Sequence, residues 1–290
     1  MPIINESIAF QAIDANGGAK YYCTSINATP RHTMPPSSLP ELLMMLSLGA
    51  ALGFFGGLFG IGGGIIAIPL LVLGFGLDQA VAQGTSLVMM VPNLLIAWYR
   101  YSQRHPVALK TALQIGMLAC VTTWLVAQTA THLAPDLMRT VFSIFLLLVA
   151  SRMLMPSAAG NSIKENKPRD LRFMPLVGIL GGSSMGLLGV GGGLIATPIF
   201  NSWFGQRQTV AQSLSLALVA PSSIIALMTY SGAQRVDWSM GLPLAFGGLF
   251  TVSAGVAVAH RLPEKRMRSA FAWMVLCTAA WMLLKPLLLK

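Results

Sequence analysis

Gly57-Leu-Phe-Gly-Ile-Gly-Gly-Gly-Ile-Ile-Ala-Ile-Pro69 decides the reading of this chain, because it occurs again as Gly186-Leu-Leu-Gly-Val-Gly-Gly-Gly-Leu-Ile-Ala-Thr-Pro198. Each residue of the second copy lies 129 positions after its partner, and the offset continues without a gap. Gly76 meets Gly205, Gln79 meets Gln208, and Val81-Ala-Gln83 meets Val210-Ala-Gln212. Ser86 and Leu87 then meet Ser215 and Leu216, and Pro92 meets Pro221. A register this long marks an internal duplication, and each copy breaks an apolar stretch at the same place. Broken helices at matching positions of two halves are a pointer to the binding site of a secondary transporter.

Composition places the duplication in a membrane. Of 290 residues, 54% are hydrophobic and 10% charged, and the mean hydropathy is +0.68. A soluble domain carries roughly 25% charged residues. The runs Ala108–Ala130, Leu137–Leu154, Met240–Ala259 and Ala270–Leu289 approach the ~20 residues that cross a bilayer. The formal charge of +10 sits in short loops, where cytoplasmic Lys and Arg collect, and forms no continuous basic helix, so no nucleic-acid partner is implied. Localisation follows as a multi-pass protein of a cell membrane, a bacterial inner membrane by expectation. Its partners are the bilayer and a small anionic substrate, and homo-oligomerisation is left open.

Residues 1–40 read as a flexible N-terminal leader, 41–156 as the first membrane repeat, 157–172 as a basic connector and 173–290 as the second repeat. The fold class is all-α, with about eight transmembrane helices and up to ten helical segments. Each repeat opens with an apolar run (Glu41–Phe59, Phe173–Leu188), then the glycines, then a short run (Ile65–Phe75, Leu194–Phe204). Eleven residues of helix reach about 16 Å, roughly half the hydrocarbon core. Arg100, Arg104 and Lys110 follow the third run of the first copy, whereas the basic cluster of the second copy, Arg261, Lys265, Arg266 and Arg268, comes one loop later. Basic loops face the cytoplasm, so the two halves are expected to be inverted repeats.

Irregular backbone at membrane depth must be buried in protein or line a polar cavity. Gly62, Gly63 and Gly64, with Gly191, Gly192 and Gly193, break the helix and leave amide N–H groups approachable. The helix starting just after adds its free N–H groups and positive dipole end. That is an anion site made without a charged side chain. Gln83 and Gln212 would donate N–H to the anion, with Ser86 and Ser215 one turn further along. The competing explanation is packing: Gly53, Gly57, Gly60 and Gly64, and Gly182, Gly186, Gly189 and Gly193, recur at steps of four, three and four, spacings that let helices approach closely. Interhelical hydrogen bonding competes in the same way for the glutamines, the serines and the register pair Asn93 and Ser222.

No catalytic residue, cofactor or metal is implied. Cys23, Cys120 and Cys277 give no disulfide frame, the four histidines form no ligand pair, and no span has a central Asp or Glu. The glycines do not fit a nucleotide loop, because Ile65 and Leu194 stand where a dinucleotide fingerprint needs its last glycine.

The paired stretches Gly60–Pro69 and Gly189–Pro198, each followed by a Gln and a Ser three residues apart, resemble the TauE/SafE family of sulfite exporters, also called TSUP. The resemblance covers roughly Leu42–Leu289. It implies a membrane transporter, not an enzyme, moving sulfite, a sulfonate or a related organic anion, with export as the expected direction. An anion channel and a non-transporting subunit of a complex are the alternatives.

Overall fold

The computed structural model describes residues 10–13, 19–22, 39–60, 62–104, 109–154, 174–190, 192–206, 208–259 and 272–282. The helices are α1 (Leu39–Phe59), α2 (Gly64–Gly74), α3 (Gln79–Arg104), α4 (Leu109–Ala130) and α5 (Pro135–Leu154), then α6 (Leu176–Leu188), α7 (Gly193–Phe204), α8 (Gln208–Gly232) and α9 (Trp238–Ala259). A last helix, α10, covers Ala272–Met282. The duplication reappears in the element bounds. From α2, α3 and α4, the 129-residue offset leads to the first residues of α7, α8 and α9, and Ala130 at the end of α4 leads to Ala259 at the end of α9.

Ahead of the helices, within the stretch expected to be a flexible leader, β1 (Phe10–Ile13) and β2 (Ala19–Tyr22) pair antiparallel, with Phe10 opposite Tyr22 and Ile13 opposite Ala19. This hairpin belongs to a compact unit of its own, Met1–Thr33, separate from the helical unit Met34–Lys290. The regular structure among the described residues is therefore helical apart from one short hairpin, and α1 starts two residues before the expected boundary at 41. The connector 157–172 and the basic loop from His260 to Arg268 lie outside the described residues.

Among the described residues, α1, α3, α4, α8 and α9 are long and apolar enough to cross a membrane, and α2, α6 and α10 are shorter apolar helices. The two long helices that follow the glycine breaks are the inner ones. Burial covers 72% of the spanning stretch of α3 and 67% of that of α8, against 39%, 28% and 39% for α1, α4 and α9. The outer helices turn side chains such as Leu148, Phe246 and Phe250 outward, as hydrocarbon solvent permits.

Glycines join the outer helices in pairs. Gly49, Gly53 and Gly57 of α1 lie against the backbone of Leu244, Gly248 and Val252 of α9, and Gly247 and Gly255 of α9 fit back against Leu46 and Phe54. Positions rise together along both helices, so α1 and α9 run in the same direction. Thr251 Oγ1 donates to the Ala50 carbonyl across the seam at 2.6 Å. The same construction joins α6 to α4, where Gly178, Gly182 and Gly186 fit against Ile115, Ala119 and Thr123, and Thr123 Oγ1 donates to the Gly182 carbonyl at 2.9 Å. A Cβ at these positions would strike backbone, which cannot step aside. α3 also runs along α9 in the same direction, with Gly84 against Arg235, Val88 against Gly241 and Asn93 against Gly248.

Candidate functional site

The repeated glycine series divides into two jobs. Gly53, Gly57, Gly182 and Gly186 pack helices, while Gly60 and Gly189 end α1 and α6 in the left-handed region, at φ of 69° and 62°. Gly62 and Gly63 follow at 72° and 88°, conformations glycine adopts without steric cost. Each break is real: α1 stops at Phe59 and α2 starts at Gly64, α6 stops at Leu188 and α7 starts at Gly193. Neither α2 nor α7 has a side-chain cap on its first turn. The first bonds to their caps come from Ile66 and Ala67 to the Gly63 carbonyl, and from Ile195 and Ala196 to the Gly192 carbonyl. The N–H groups ahead of these have no acceptor within the helix.

The breaks sit beside the middle stretches of the long helices. Gly62, Gly63 and Gly64 lie beside Leu94, Met89 and Met90, near the middle of α3, and Gly193 lies beside Ser215 and Val219, near the middle of α8. The two tips meet, since a Cβ built on Gly64 would stand 3.5 Å from the Gly189 carbonyl oxygen. Each glutamine then reaches across to the other half's tip. Gln83 packs its Cβ and Cγ against Gly189, and Gln212 places its Nε2 against Gly60.

Gln83 is fully buried. Its Oε1 lies 2.9 Å from the hydroxyl of Tyr230, which also lies 3.1 Å from the Gly186 carbonyl, so one hydroxyl proton serves two acceptors. Its Nε2 has no partner among the described residues. Gln212 differs: its Nε2 donates to the Phe59 carbonyl at 3.3 Å. Ser215 Oγ would be 2.9 Å from a Cβ on Gly193, so it stands at its own tip, whereas Ser86 Oγ donates to the Gln83 carbonyl at 2.8 Å and remains within its own helix. Gly192 packs on the backbone of Gly181, and Gly191 lies outside the described residues. Of the expected site residues, the structure brings Gly64 and Gln83 together around Gly189; it places Gln212 at Gly60 and Ser215 at Gly193.

Several participants were not anticipated. Tyr230, buried and bonded to Gln83, has a register partner in Tyr101, also buried, and the shared offset of 129 would have revealed both. Gln79 is buried with both amide atoms unpartnered among the described residues, and so is Asn93 against Gly248. Buried polar atoms without partners are uncommon in proteins and call for water, ion or ligand. Among the described residues no cluster of three His, Cys, Asp or Glu could hold a metal ion, and Cys120 and Cys277 are free thiols.

Comparison with known proteins identifies the family. Residues 45–282 match the family described as Sulfite exporter TauE/SafE. The chain belongs to that family. It is similar to a probable membrane transporter protein of Methanocaldococcus jannaschii, 26% identical over 79% of this chain and 91% of the relative. Probable membrane transporter proteins of Xylella fastidiosa strain 9a5c and of Haemophilus influenzae are 22% and 23% identical, covering 85% and 84% of this chain and 96% and 98% of the relatives. No solved structure matches the chain. This TauE/SafE member is a multi-pass membrane protein of a transporter family.

Proposed function

We propose that this TauE/SafE protein is a secondary transporter that exports a small sulfur-containing anion, such as sulfite or a sulfonate, by alternating access between two inverted repeats. The observation that carries the reading is the buried carboxamide of Gln83, with Nε2–H unpaired at the meeting point of the two glycine tips. A free N–H, uncapped helix starts and the absence of any acidic side chain from the described contacts of the tips favour an anion over a cation. The sulfur chemistry and the outward direction rest on the family's description as sulfite exporters.

Inversion is supported by helix directions. α3 lies parallel to α9, and Tyr230, near the end of α8, meets Gln83, near the start of α3. That pairing is what α3 and its copy α8 give when they run in opposite directions, as inverted repeats require. On this reading about eight helices cross, and α2 and α7 descend to mid-depth as half-helices.

Purified protein in lipid vesicles, offered sulfite, sulfoacetate, taurine and thiosulfate, tests the function. Saturable flux that an ion gradient can drive uphill is expected; flux that only follows its own gradient would make the protein a channel, and no flux for any anion would remove the reading. Single cysteines at Ser102 and Ala233, on a background lacking Cys23, Cys120 and Cys277, test the inversion. An impermeant thiol reagent added outside should label the second and spare the first.

A further inference from the structure

Three of the four residues whose buried side-chain atoms lack a hydrogen-bond partner among the described residues stand on α3, and Ser184 of α6 is the fourth. The three are Gln79, Gln83 and Asn93, at 2%, 0% and 0% exposure. With Ser86 and Met90 they occupy positions 79, 83, 86, 90 and 93, steps of four, three, four and three that share one helix face. Both glycine tips rest on that face, since Gly189 lies against Gln83 and Gly64 against Met90. We propose that this face of α3 is the path of the anion, and that Asn93 and Gln79 are two further ligands, one on either side of the tips. This rests on the reading of Gln83 as a substrate ligand.

The second copy supplies the contrast. Gln212 and Ser222 hold the positions of Gln83 and Asn93 on α8, and both are bonded, to the Phe59 carbonyl at 3.3 Å and to the Val219 carbonyl at 3.1 Å. A buried carboxamide without a hydrogen bond is costly, so the amides of α3 mark places that a ligand fills. α3 carries no Asp or Glu, and the amide N–H groups therefore face an anion without a competing negative charge on their own helix. Asn93 carries its carboxamide to α9, where a Cβ on Gly248 would stand 2.9 Å from Nδ2 and 3.3 Å from Oδ1, so glycine at 248 leaves the amide in place. Along the axis Gln79 lies about 6 Å from Gln83, and Asn93 about 15 Å from it in the other direction. Met90, a flexible apolar side chain lying against Gly64, stands between Gln83 and Asn93. Ligands on both sides of one apolar contact suit a path open to one face at a time. Arg100 and Arg104 close the last turns of α3 and put that end at the cytoplasm. An exported anion then meets Asn93 first, passes Met90 to Gln83, and leaves past Gln79.

Sulfite flux in vesicles, with a thermal melt of each variant, tests the assignment. Asn93→Leu and Gln79→Leu should each lower kcat/KM about ten- to a hundredfold, the worth of one hydrogen bond to an anion. Neither should lower the melting temperature, because the amide removed has no partner in the fold. Asn93→Asp should transport less than Asn93→Leu, since a carboxylate repels the anion. Parental flux in a well-folded Asn93→Leu or Gln79→Leu overturns the proposal. So does a loss that only follows a fall in melting temperature, or an Asn93→Asp that outperforms Asn93→Leu, as a cation site would. Gln83→Leu keeps the two readings apart: if it abolishes flux while the other two leave it parental, the site stands and the path falls. The order of the ligands is read without substrate. Asn93→Cys and Gln79→Cys, each in the background lacking Cys23, Cys120 and Cys277, are offered an impermeant thiol reagent from either side. The first should react from the cytoplasmic face and the second from outside; reaction of both from one side, or of neither, overturns the proposal. These cysteines, smaller than the residues they replace, repeat the flux test where a leucine variant does not fold.

Discussion

The two glycine tips share nearly one sequence and differ in what they do with it. At the first, Gly60, Gly62 and Gly63 all take positive φ, and the Phe59 carbonyl accepts a hydrogen bond from Gln212. At the second, Gly189 is left-handed but Gly192 is right-handed, at φ −53°, and Gln83 approaches with its N–H unspent and its Oε1 held by Tyr230. One glutamine is tied to the backbone of the opposite tip and the other is available. The lesson is that a duplicated motif fixes what can form, and the partner helix fixes which form is taken. Two copies in unequal states are what alternation between two faces needs, since exchanging the two arrangements exchanges the accessible side.

The sharpest way to break this comparison is to remove the available amide. Gln83→Leu is expected to weaken anion binding about ten- to a hundredfold, the worth of one hydrogen bond to a charged group, with the melting temperature unchanged because leucine matches the bulk. Titration of binding and a thermal melt on the same preparation check it; a well-folded variant with parental affinity would falsify the assignment. Next come the tips. Gly60→Ala should cost more stability than Gly189→Ala, although a left-handed alanine costs each about 1–2 kcal/mol. The added methyl at Gly60 meets the polar end of Gln212, while at Gly189 it meets the aliphatic part of Gln83 at 3.0 Å. Equal losses in thermal melts would make the tips equivalent and void the contrast.

Tyr230→Phe should lower affinity by a smaller factor, about two- to tenfold, as one neutral hydrogen bond is lost and the carboxamide can turn over. Tyr101→Phe, about 27 Å along α3 from the available amide, should affect binding less; the reverse ranking would point to Gln212 as the working glutamine. The smallest effect belongs to Ser86→Ala. Its hydroxyl is satisfied by its own helix, so binding should stay within twofold of the parent, and a large loss would return Ser86 to the site.

The duplication, the helix breaks and the short half-helices were legible because each depends on residues adjacent in sequence or separated by one constant offset. Even there the repeated glycines could not be sorted by sequence. Gly57 and Gly60 stand three apart, yet one faces Val252 on α9 and the other faces Gln212 on α8. The tie between Tyr230 and Gln83 joins positions 147 apart and crosses from one half to the other, which no local pattern encodes. Ser86 was drawn into the site by its repeat, but a hydroxyl in a helix can always bond backward to its own backbone, and this one does. The hairpin of Phe10–Ile13 with Ala19–Tyr22 escaped because four-residue strands inside a polar stretch leave almost no period to read.

The glycine seams have a consequence for how the chain is made. α1 ends at Phe59 and finds its parallel partner only when α9, from Trp238, has been synthesised. At ~5–20 residues per second that wait is on the order of 10–40 s, during which α1 stands in lipid with three bare glycine positions uncovered. Neither half can then mature alone. Separately expressed segments 1–156 and 157–290 should each be cleared by membrane proteases, whereas made together in one cell they should protect one another, and a first segment that persists unaided would show that α1 finds cover elsewhere.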